Sequence, residues 1–287
     1  MSRITIVGAG VVGRATGMGF IEHGNDVTFV DVDELTVSQL TKQGYTAIYP
    51  ADLELIDVDA VFVSVTAPTM PAGIDLNYLQ HACKSLGMAL AESDTRPVIV
   101  FRCTMPPGTT RDFLIPLLEE SSGKKSGIGF GVCYNPEYLR AYCAEKDFMH
   151  PRVVTIGRNC SGGGEFTQKI SEIYAPFGAP LYYCTYEEAE FQKYVHNLFN
   201  ATKISFFNEM RRTAERLGVD PRTALACTAL TAQGMWDASY GVHDHGPYGG
   251  ACLPKDVAAW LALAEQRGIP APLVSAVREV NRSCGGS

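Results

Sequence analysis

The chain has 287 residues, of which 46% are hydrophobic and 19% are charged, a composition typical of a globular protein with two domains. Its net charge of -7 argues against a nucleic-acid-binding surface, which would be basic, and no apolar run reaches membrane-spanning length. The nine cysteines form no C-x-x-C pair and no metal-type spacing with histidine, and a strand-like segment begins at residue 4. We therefore expect a cytoplasmic protein with reduced thiols and without a signal peptide, a metal or a membrane partner.

The first forty residues predict a dinucleotide-binding site. Residues 3–33 show the order strand, tight turn, helix, strand, and Gly8, Gly10 and Gly13 form G-x-G-x-x-G where the helix begins. A pyrophosphate can bind the free N–H groups at such a helix N-terminus. Asp31 ends the second strand, where a carboxylate can accept hydrogen bonds from the adenosine ribose, so NAD is favoured over NADP. FAD, which shares the fingerprint, is the alternative ligand.

Three more predicted strands end on polar loops. The strand at 59–65 is followed by Thr66 to Thr69, the strand at 97–103 by Thr104, and a further strand by Asn135, Pro136 and Glu137. Ligands of open α/β sheets bind at the carboxyl ends of strands, so these loops are expected to border the cofactor. Thr-Pro and Asn-Pro are also ordinary turn signals, and Glu137 is the better candidate for chemistry.

A helical pattern runs from Tyr186 to about Leu217, without proline or glycine until Gly218. Helices of this length usually bridge domains or form a dimer interface, and we expect a homodimer through this helix. Lys193 and Asn197 share a face because they are four residues apart. A solvated lysine is the ordinary alternative, but the apolar neighbours of Lys193 favour a functional one.

The segment GPYGGACLPKD predicts a covalent catalyst, Cys252, directly before a helix. Gly249 and Gly250 let the backbone approach a ligand, and a thiol near an ammonium such as Lys255 is more readily ionised to the nucleophilic thiolate. The alternative is that Cys252 is a small buried apolar residue. A last helix is expected around residues 273–282.

The stretch that precedes this segment contains Trp236, His243, Asp244 and His245, and two interpretations of it are open. The two histidines and the acid could bind a metal, but a solvated loop is the commoner explanation. We therefore expect no metal site.

The predicted fold is α/β: an N-terminal Rossmann-type doubly wound sheet, a long central helix and a small all-helical C-terminal part. The predicted domains are an NAD-binding Rossmann domain at 1–185 and, at 186–287, the long helix with a helical catalytic and dimerisation domain.

Seven motifs in order resemble the UDP-glucose/GDP-mannose dehydrogenase family. They are GAGVVG with DVD, VTAPT, CTMPPGTT, NPEYL, AEFQKYVHNLFNATKISFFNE, GPYGGACLPKD and VNRS. The resemblance implies oxidation of a primary alcohol to a carboxylate with two NAD, through a thiohemiacetal and a thioester on Cys252.

The resemblance also implies roles for the other site residues. Lys193 and Asp256 would handle the proton and the alkoxide, Asn197 would hold the oxyanion, and Glu137, with a water near Thr104, would be the base for thioester hydrolysis. The residues expected to contact the cofactor are Gly8, Gly10, Val11, Val12, Gly13, Asp31, Val65, Thr66, Pro68, Thr104 and Lys255.

The chain departs from the family pattern in ways that bear on the substrate. Family members usually continue into a second nucleotide-binding domain, Ala141 stands where many have a second Glu, and no Lys or Arg lies between Arg222 and Lys255. One hypothesis is a minimal enzyme for a smaller phosphorylated sugar or a nucleotide. The other is a truncated sugar-nucleotide dehydrogenase. We favour the minimal enzyme, because truncation would not explain the missing basic residues.

Two further alternatives stay open. The β-hydroxyacid dehydrogenases have a similar length and a catalytic Lys with Asn four residues later, so Lys193 and Asn197 fit a two-electron enzyme as well. They lack the cysteine segment and Glu137. A non-catalytic NAD-binding module is disfavoured, because a decayed module need not keep Lys193, Asn197, Cys252, Asp256 and Glu137 together.

Overall fold

The computed structural model describes residues 1–71, 73–159, 164–242 and 246–286, and strands and helices alternate through its N-terminal part. The strands are β1 Arg3–Val7, β2 Asp26–Val30, β3 Thr46–Ile48, β4 Ala60–Val63, β5 Thr69–Met70, β6 Gly73–Ile74, β7 Val98–Phe101, β8 Gly131–Tyr134, β9 Val154–Gly157 and β10 Leu181–Cys184. The helices are α1 Val11–Glu22, α2 Glu34–Lys42, α3 Asn77–Ala91, α4 Ile115–Ser122, α5 Ala144–Met149, α6 Gly164–Tyr174, α7 Tyr186–Arg216, α8 Pro221–Thr231, α9 Gln233–Trp236, α10 Leu253–Gln266 and α11 Pro272–Ser283.

Eight strands form one sheet in the order β10-β9-β8-β7-β4-β1-β2-β3. The strands from β3 to β8 in this order are parallel, β9 joins β8 in the antiparallel sense, and β10 is parallel to β9. Strands β2 and β3 lie on one side of β1, and the later strands β4, β7 and β8 lie on the other side. The strand order therefore reverses between β1 and β4. Such a switch point opens a crevice at the carboxyl ends of the strands.

Helices cover both faces of the sheet, because the central strands are apolar on both sides. Every residue of β4, β7 and β8 is buried. A continuous apolar run is typical of parallel strands between two helical layers. One core contains Val61, Ile99 and Tyr134, and the other contains Phe20 and Phe62. The doubly wound α/β fold predicted from the sequence is confirmed.

Helix α1 packs against the sheet through a face of glycines. A Cβ at Gly13 would lie 1.8 Å from the carbonyl oxygen of Gly8, and one at Gly17 would lie 2.3 Å from the ring of Phe29. On another side of α1, a Cβ at Gly19 would lie 2.2 Å from the ring of Phe148, which belongs to α5. Hydrogen in place of a side chain lets the helix backbone approach strands β1 and β2 directly.

The chain divides into two compact units, Met1–Val195 and His196–Ser287, and the division falls within α7. The long helix predicted from Tyr186 to about Leu217 is confirmed as Tyr186–Arg216. A domain boundary at residue 185 remains a prediction.

The second unit is helical and buries few apolar side chains. Among its described residues, the buried hydrophobic ones are Ala264, Ile269 and Val274. The described part of the chain contains no helix with the length and apolarity needed to cross a membrane.

Candidate active site

The glycine turn lies at the carboxyl ends of β1, β2 and β4. Gly8 has φ +89° and donates its N–H to the carbonyl oxygen of Val30 at 2.8 Å. A Cβ at Gly8 would lie 2.9 Å from backbone atoms of Ser64 and Val65, so the turn and the end of β4 are in close contact. Gly10 begins α1 without a side-chain cap, and a Cβ there would meet no atom within 4 Å. The N–H groups of Val11, Val12 and Gly13 are therefore suited to a pyrophosphate.

Asp31 directly follows β2, and its carboxylate faces the glycine turn. Its Oδ2 accepts a hydrogen bond from the Ala9 N–H at 2.6 Å, and its Oδ1 accepts one from the Asp33 N–H at 2.9 Å. An ionised carboxylate has about four acceptor sites, so two remain for ribose hydroxyls. Together with the glycine turn, this arrangement fits a dinucleotide.

The loops after β4 and β7 also lie at this edge of the sheet. Thr66 is exposed, Val65 and Pro68 are half-buried, and Thr104 is half-buried after Cys103. The Cys103 Sγ donates to the carbonyl oxygen of Val65 at 3.0 Å and connects the two loops. Burial raises the pKa of Cys103 to about 12, so its thiol stays protonated at neutral pH.

The loop after β8 brings together two predicted catalytic residues, Glu137 and Lys193. Lys193 Nζ lies 2.7 Å from Glu137 Oε1 and also donates to the Glu137 carbonyl oxygen. The two side chains are only 5% and 15% exposed, so the ion pair is shielded from water. The ring of Tyr138 lies 5.9 Å from the same ammonium.

The burial of Lys193 has a different cause from the one that its sequence neighbours suggest. Phe191 and Val195, which make its surroundings apolar in sequence, are 61% and 47% exposed. Lys193 is buried because it points to the Glu137 loop, 56 residues earlier in the chain.

In the second unit, Cys252 is the N-cap residue of α10, as predicted, and is exposed. Lys255 Nζ lies 2.8 Å from Asp256 Oδ1, and both side chains are largely exposed. Asn197 is exposed, with its Oδ1 3.0 Å from Nδ1 of His196. The ammonium of Lys255 thus pairs with Asp256, and its predicted effect on Cys252 remains a prediction, as do the other assigned roles.

Reasoning from the sequence missed Glu190, which is fully buried on α7 three residues before Lys193. Its carboxylate accepts hydrogen bonds from the N–H groups of Gly108 and Thr110. The available signal was an acidic residue on the same helical face as Lys193.

The stretch considered above as either a metal site or a solvated loop is only partly described by the structure. Trp236 is 63% exposed, whereas His243, Asp244 and His245 lie outside the described residues. Where the structure describes the chain, no group of three or more His, Cys, Asp or Glu side chains could hold a metal ion.

Comparison with protein families gives matches along nearly the whole chain. The NAD binding domain of the UDP-glucose/GDP-mannose dehydrogenase family matches residues 2–57 and 51–178. The central domain of the same family matches residues 187–283.

Individual relatives support the same assignment. GDP-mannose 6-dehydrogenase of Pseudomonas aeruginosa is 33% identical over 97% of this chain and 68% of its own length. UDP-glucose 6-dehydrogenase of Haloferax volcanii is 33% identical over 97% of this chain and 69% of its own length. A crystal structure of a ternary complex of the Pseudomonas aeruginosa GDP-mannose dehydrogenase superimposes with a TM-score of 0.90 at 31% identity, covering 98% of this chain and 69% of the other.

Proposed function

The chain belongs to the UDP-glucose/GDP-mannose dehydrogenase family, and from this premise we propose that it oxidises a primary alcohol of a sugar nucleotide to a carboxylate. The enzyme is an NAD-dependent dehydrogenase, and NAD, when bound, accepts the hydride. The observation that carries the proposal is the buried pair of Glu137 and Lys193, which provides a carboxylate and an ammonium at the carboxyl end of the sheet. The names of the relatives, GDP-mannose and UDP-glucose 6-dehydrogenases, support a sugar nucleotide as the substrate.

The residues of the first unit would hold the cofactor. Gly10 leaves room for a pyrophosphate at the start of α1, Gly8 lets the turn pass close to the end of β4, and Asp31 keeps acceptor sites for a ribose. The loops that contain Thr66 and Thr104 would border the nicotinamide.

Two oxidations and one hydrolysis make up the proposed reaction. In the first oxidation the alcohol becomes an aldehyde, with Lys193 and Asp256 handling the proton. The Cys252 thiolate then adds to the aldehyde to form a thiohemiacetal, whose oxyanion Asn197 would stabilise. A second hydride transfer gives a thioester. Water, deprotonated by Glu137 near Thr104, then releases the carboxylate and the free Cys252.

The proposed assembly is a homodimer through α7. Leu198, Phe199 and Ile204 on this helix are each about 60% exposed, and the described part of the second unit buries only three apolar side chains. A second copy would remove these apolar side chains from water. A reducing compartment is also proposed, since buried cysteines such as Cys83, Cys103 and Cys133 are free thiols.

The first experiment measures the NADH formed per molecule of substrate consumed. The panel contains GDP-mannose, UDP-glucose, free nucleotides, sugar phosphates and sugars, and the products are identified by mass spectrometry. We expect two NADH and a uronate from a sugar nucleotide. One NADH with an aldehyde or ketone would favour the two-electron alternative, and turnover confined to sugar phosphates or nucleotides would favour the minimal enzyme.

A Cys252→Ser variant tests the covalent step. We expect this variant to lose the second NADH and the acid product, because a serine hydroxyl is a far weaker nucleophile than a thiolate. Cys227→Ser and Cys284→Ser, which replace other exposed cysteines of the same unit, are the controls and should keep both NADH. Full acid formation by Cys252→Ser would eliminate the thioester mechanism.

A further inference from the structure

The segment from Cys103 to Thr110, which contains Thr104, is anchored where it leaves the sheet. The hydroxyl of Tyr134, a fully buried residue, donates to the carbonyl oxygen of Cys103 at 3.0 Å. The Cys103 thiol in turn donates to Val65, so β4, β7 and β8 are connected at their carboxyl ends. Thr104 therefore leaves the sheet in a defined direction.

The other end of this segment is held by a side chain distant in sequence, Glu190 of α7. Its Oε2 accepts a hydrogen bond from the Gly108 N–H at 2.5 Å. Its Oε1 accepts one from the Thr110 N–H at 2.8 Å and one from the Thr110 hydroxyl at 2.6 Å. The carboxylate thus satisfies N–H groups where a short helical segment, Thr110–Leu114, begins directly before α4.

A local residue could have supplied this cap. Thr109 occupies the N-cap position, but its hydroxyl donates to the carbonyl oxygen of Pro106 at 2.6 Å and makes no capping bond. The cap comes instead from a carboxylate whose pKa is raised by burial, an unfavourable setting for its charge. A buried carboxyl group from a distant helix, in place of the local hydroxyl, points to a function of the helix that carries it.

That helix also carries Lys193. Glu190 and Lys193 are three residues apart and share one face of α7. Glu190 contacts the Thr104 segment, and Lys193 contacts the loop of Glu137. One turn of α7 therefore fixes the distance between two loops that would both act in hydrolysis.

We propose that Glu190 is a positioning residue for thioester hydrolysis, an inference that rests on the proposed function. In this step water adds to the thioester carbonyl and gives a proton to Glu137. The C–S bond then breaks, Cys252 leaves as the thiolate, and the carboxylic acid that forms gives its remaining proton to solvent and is released as the carboxylate. Glu190 holds Thr104 at the distance from Glu137 that the water requires. A misplacement of about 1 Å can slow such a step by up to about a hundredfold.

The test measures NADH formation by the Glu190→Gln variant in the pre-steady state. We expect the hydride transfers to keep their rates and kcat to fall between about tenfold and a hundredfold. A burst of two NADH per enzyme should appear, and intact mass spectrometry of the acid-quenched protein should show the acyl adduct on Cys252. A general loss of folded structure would lower every step and would not accumulate the adduct.

Two further variants separate positioning from stability. Glu209→Gln replaces a second buried carboxylate of α7, which accepts from the N–H groups of Leu273 and Val274 at the start of α11. The Glu209→Gln variant should be less stable than the wild type but should not accumulate the acyl adduct on Cys252. Thr110→Val removes one of the three bonds to Glu190 and should reproduce the burst in weaker form even where Glu190→Gln folds poorly.

The inference would be overturned if the wild type forms two NADH but neither Glu190→Gln nor Thr110→Val shows a burst or an acyl adduct. A wild type that forms one NADH would instead overturn the proposed function.

Discussion

Among the described residues, the Glu137–Lys193 pair is the ion pair with the least exposed side chains, so two opposite charges lie where water has little access. The attraction between them compensates for their desolvation only while both are present. The proposed catalytic use of either group therefore depends on a partner that also stabilises the fold.

Lys193→Met should be strongly destabilising, by about 3–5 kcal/mol, because it leaves the Glu137 carboxylate buried without its cation. The double variant Lys193→Met with Glu137→Gln should recover much of this loss. The free energy of unfolding in urea measures both. Lys169→Met is the control, since that lysine is 37% exposed and 3.9 Å from Asp59, and it should cost less than about 1 kcal/mol. If Lys193→Met lowers the free energy of unfolding by as little as Lys169→Met does, the Glu137–Lys193 pair is accessible to water in solution.

Asp31→Asn should weaken NAD binding about tenfold, because the amide presents one acceptor oxygen where the carboxylate presents two. Isothermal titration with NAD measures the change in Kd. Asp33→Asn is the matched control: Asp33 caps α2 by accepting from the Thr36 N–H, and asparagine is an equally good N-cap. Equal NAD affinities of the two variants would remove Asp31 from the cofactor site.

At the scale of the elements, the carboxylate of Asp147 connects the short helix α5 to Arg140, in the segment that follows Glu137. Asp147 Oδ2 accepts from the N–H and Nε of Arg140, and its Oδ1 accepts from Nη2 at 2.7 Å. These hydrogen bonds hold the pKa of Asp147 well below its usual range. The contact therefore orders the segment between the candidate base and α5.

The contribution of this contact to stability should depend on pH in a defined direction. The folded pKa of Asp147 is depressed, so the unfolded chain binds more protons at acid pH, and the contribution is present above the ordinary aspartate pKa of about 3.9. Asp147→Asn should cost about 1 kcal/mol at neutral pH, and this difference should shrink as the pH falls below about 4. Thermal unfolding between pH 3 and pH 7 measures it. Glu145→Gln replaces an exposed carboxylate on the same helix and is the control, which should change the stability by less than about 0.5 kcal/mol at neutral pH.

The elements themselves could be predicted where the periodicity was long and regular. The apolar runs of β1, β4 and β7 and the uninterrupted pattern of α7 predicted the correct types of element in the correct order. The tertiary use of single polar residues could not be predicted. Glu190 caps a helix about 80 residues earlier in the chain, and Lys193 pairs with a loop 56 residues away. Such contacts depend on how elements pack, which local patterns do not contain.

At the scale of the whole molecule, the two units differ in how they bury apolar surface. The first has two cores, one on each face of its sheet, with aromatic side chains such as Phe20, Phe62 and Phe101 fully enclosed. The described residues of the second leave large apolar side chains in water, including Leu198, Ile204 and Leu230. A second copy of the chain is the simplest way to cover them, because closed homodimers are the commonest oligomers.

The double variant Leu198→Glu with Ile204→Glu should convert the proposed dimer into a monomer, because it places two charges in a desolvated interface. Light scattering coupled to size-exclusion chromatography measures the mass. Ile128→Glu, at a residue of the first unit that is 70% exposed, is the control and should leave the mass unchanged. A wild-type protein that elutes as a monomer at micromolar concentration would refute the dimer.

The glycine face of α1 also constrains how this sequence can evolve. A methyl group at position 17 would overlap the ring of Phe29, so Gly17→Ala becomes acceptable only after Phe29 has become smaller. Because Phe29 is itself fully buried, shrinking it first would leave a cavity. Each single step therefore passes through a less fit intermediate, although the double change could be neutral. In a lineage of such enzymes, positions 17 and 29 should vary together or not at all, and a deep mutational scan should record the pair as strongly epistatic.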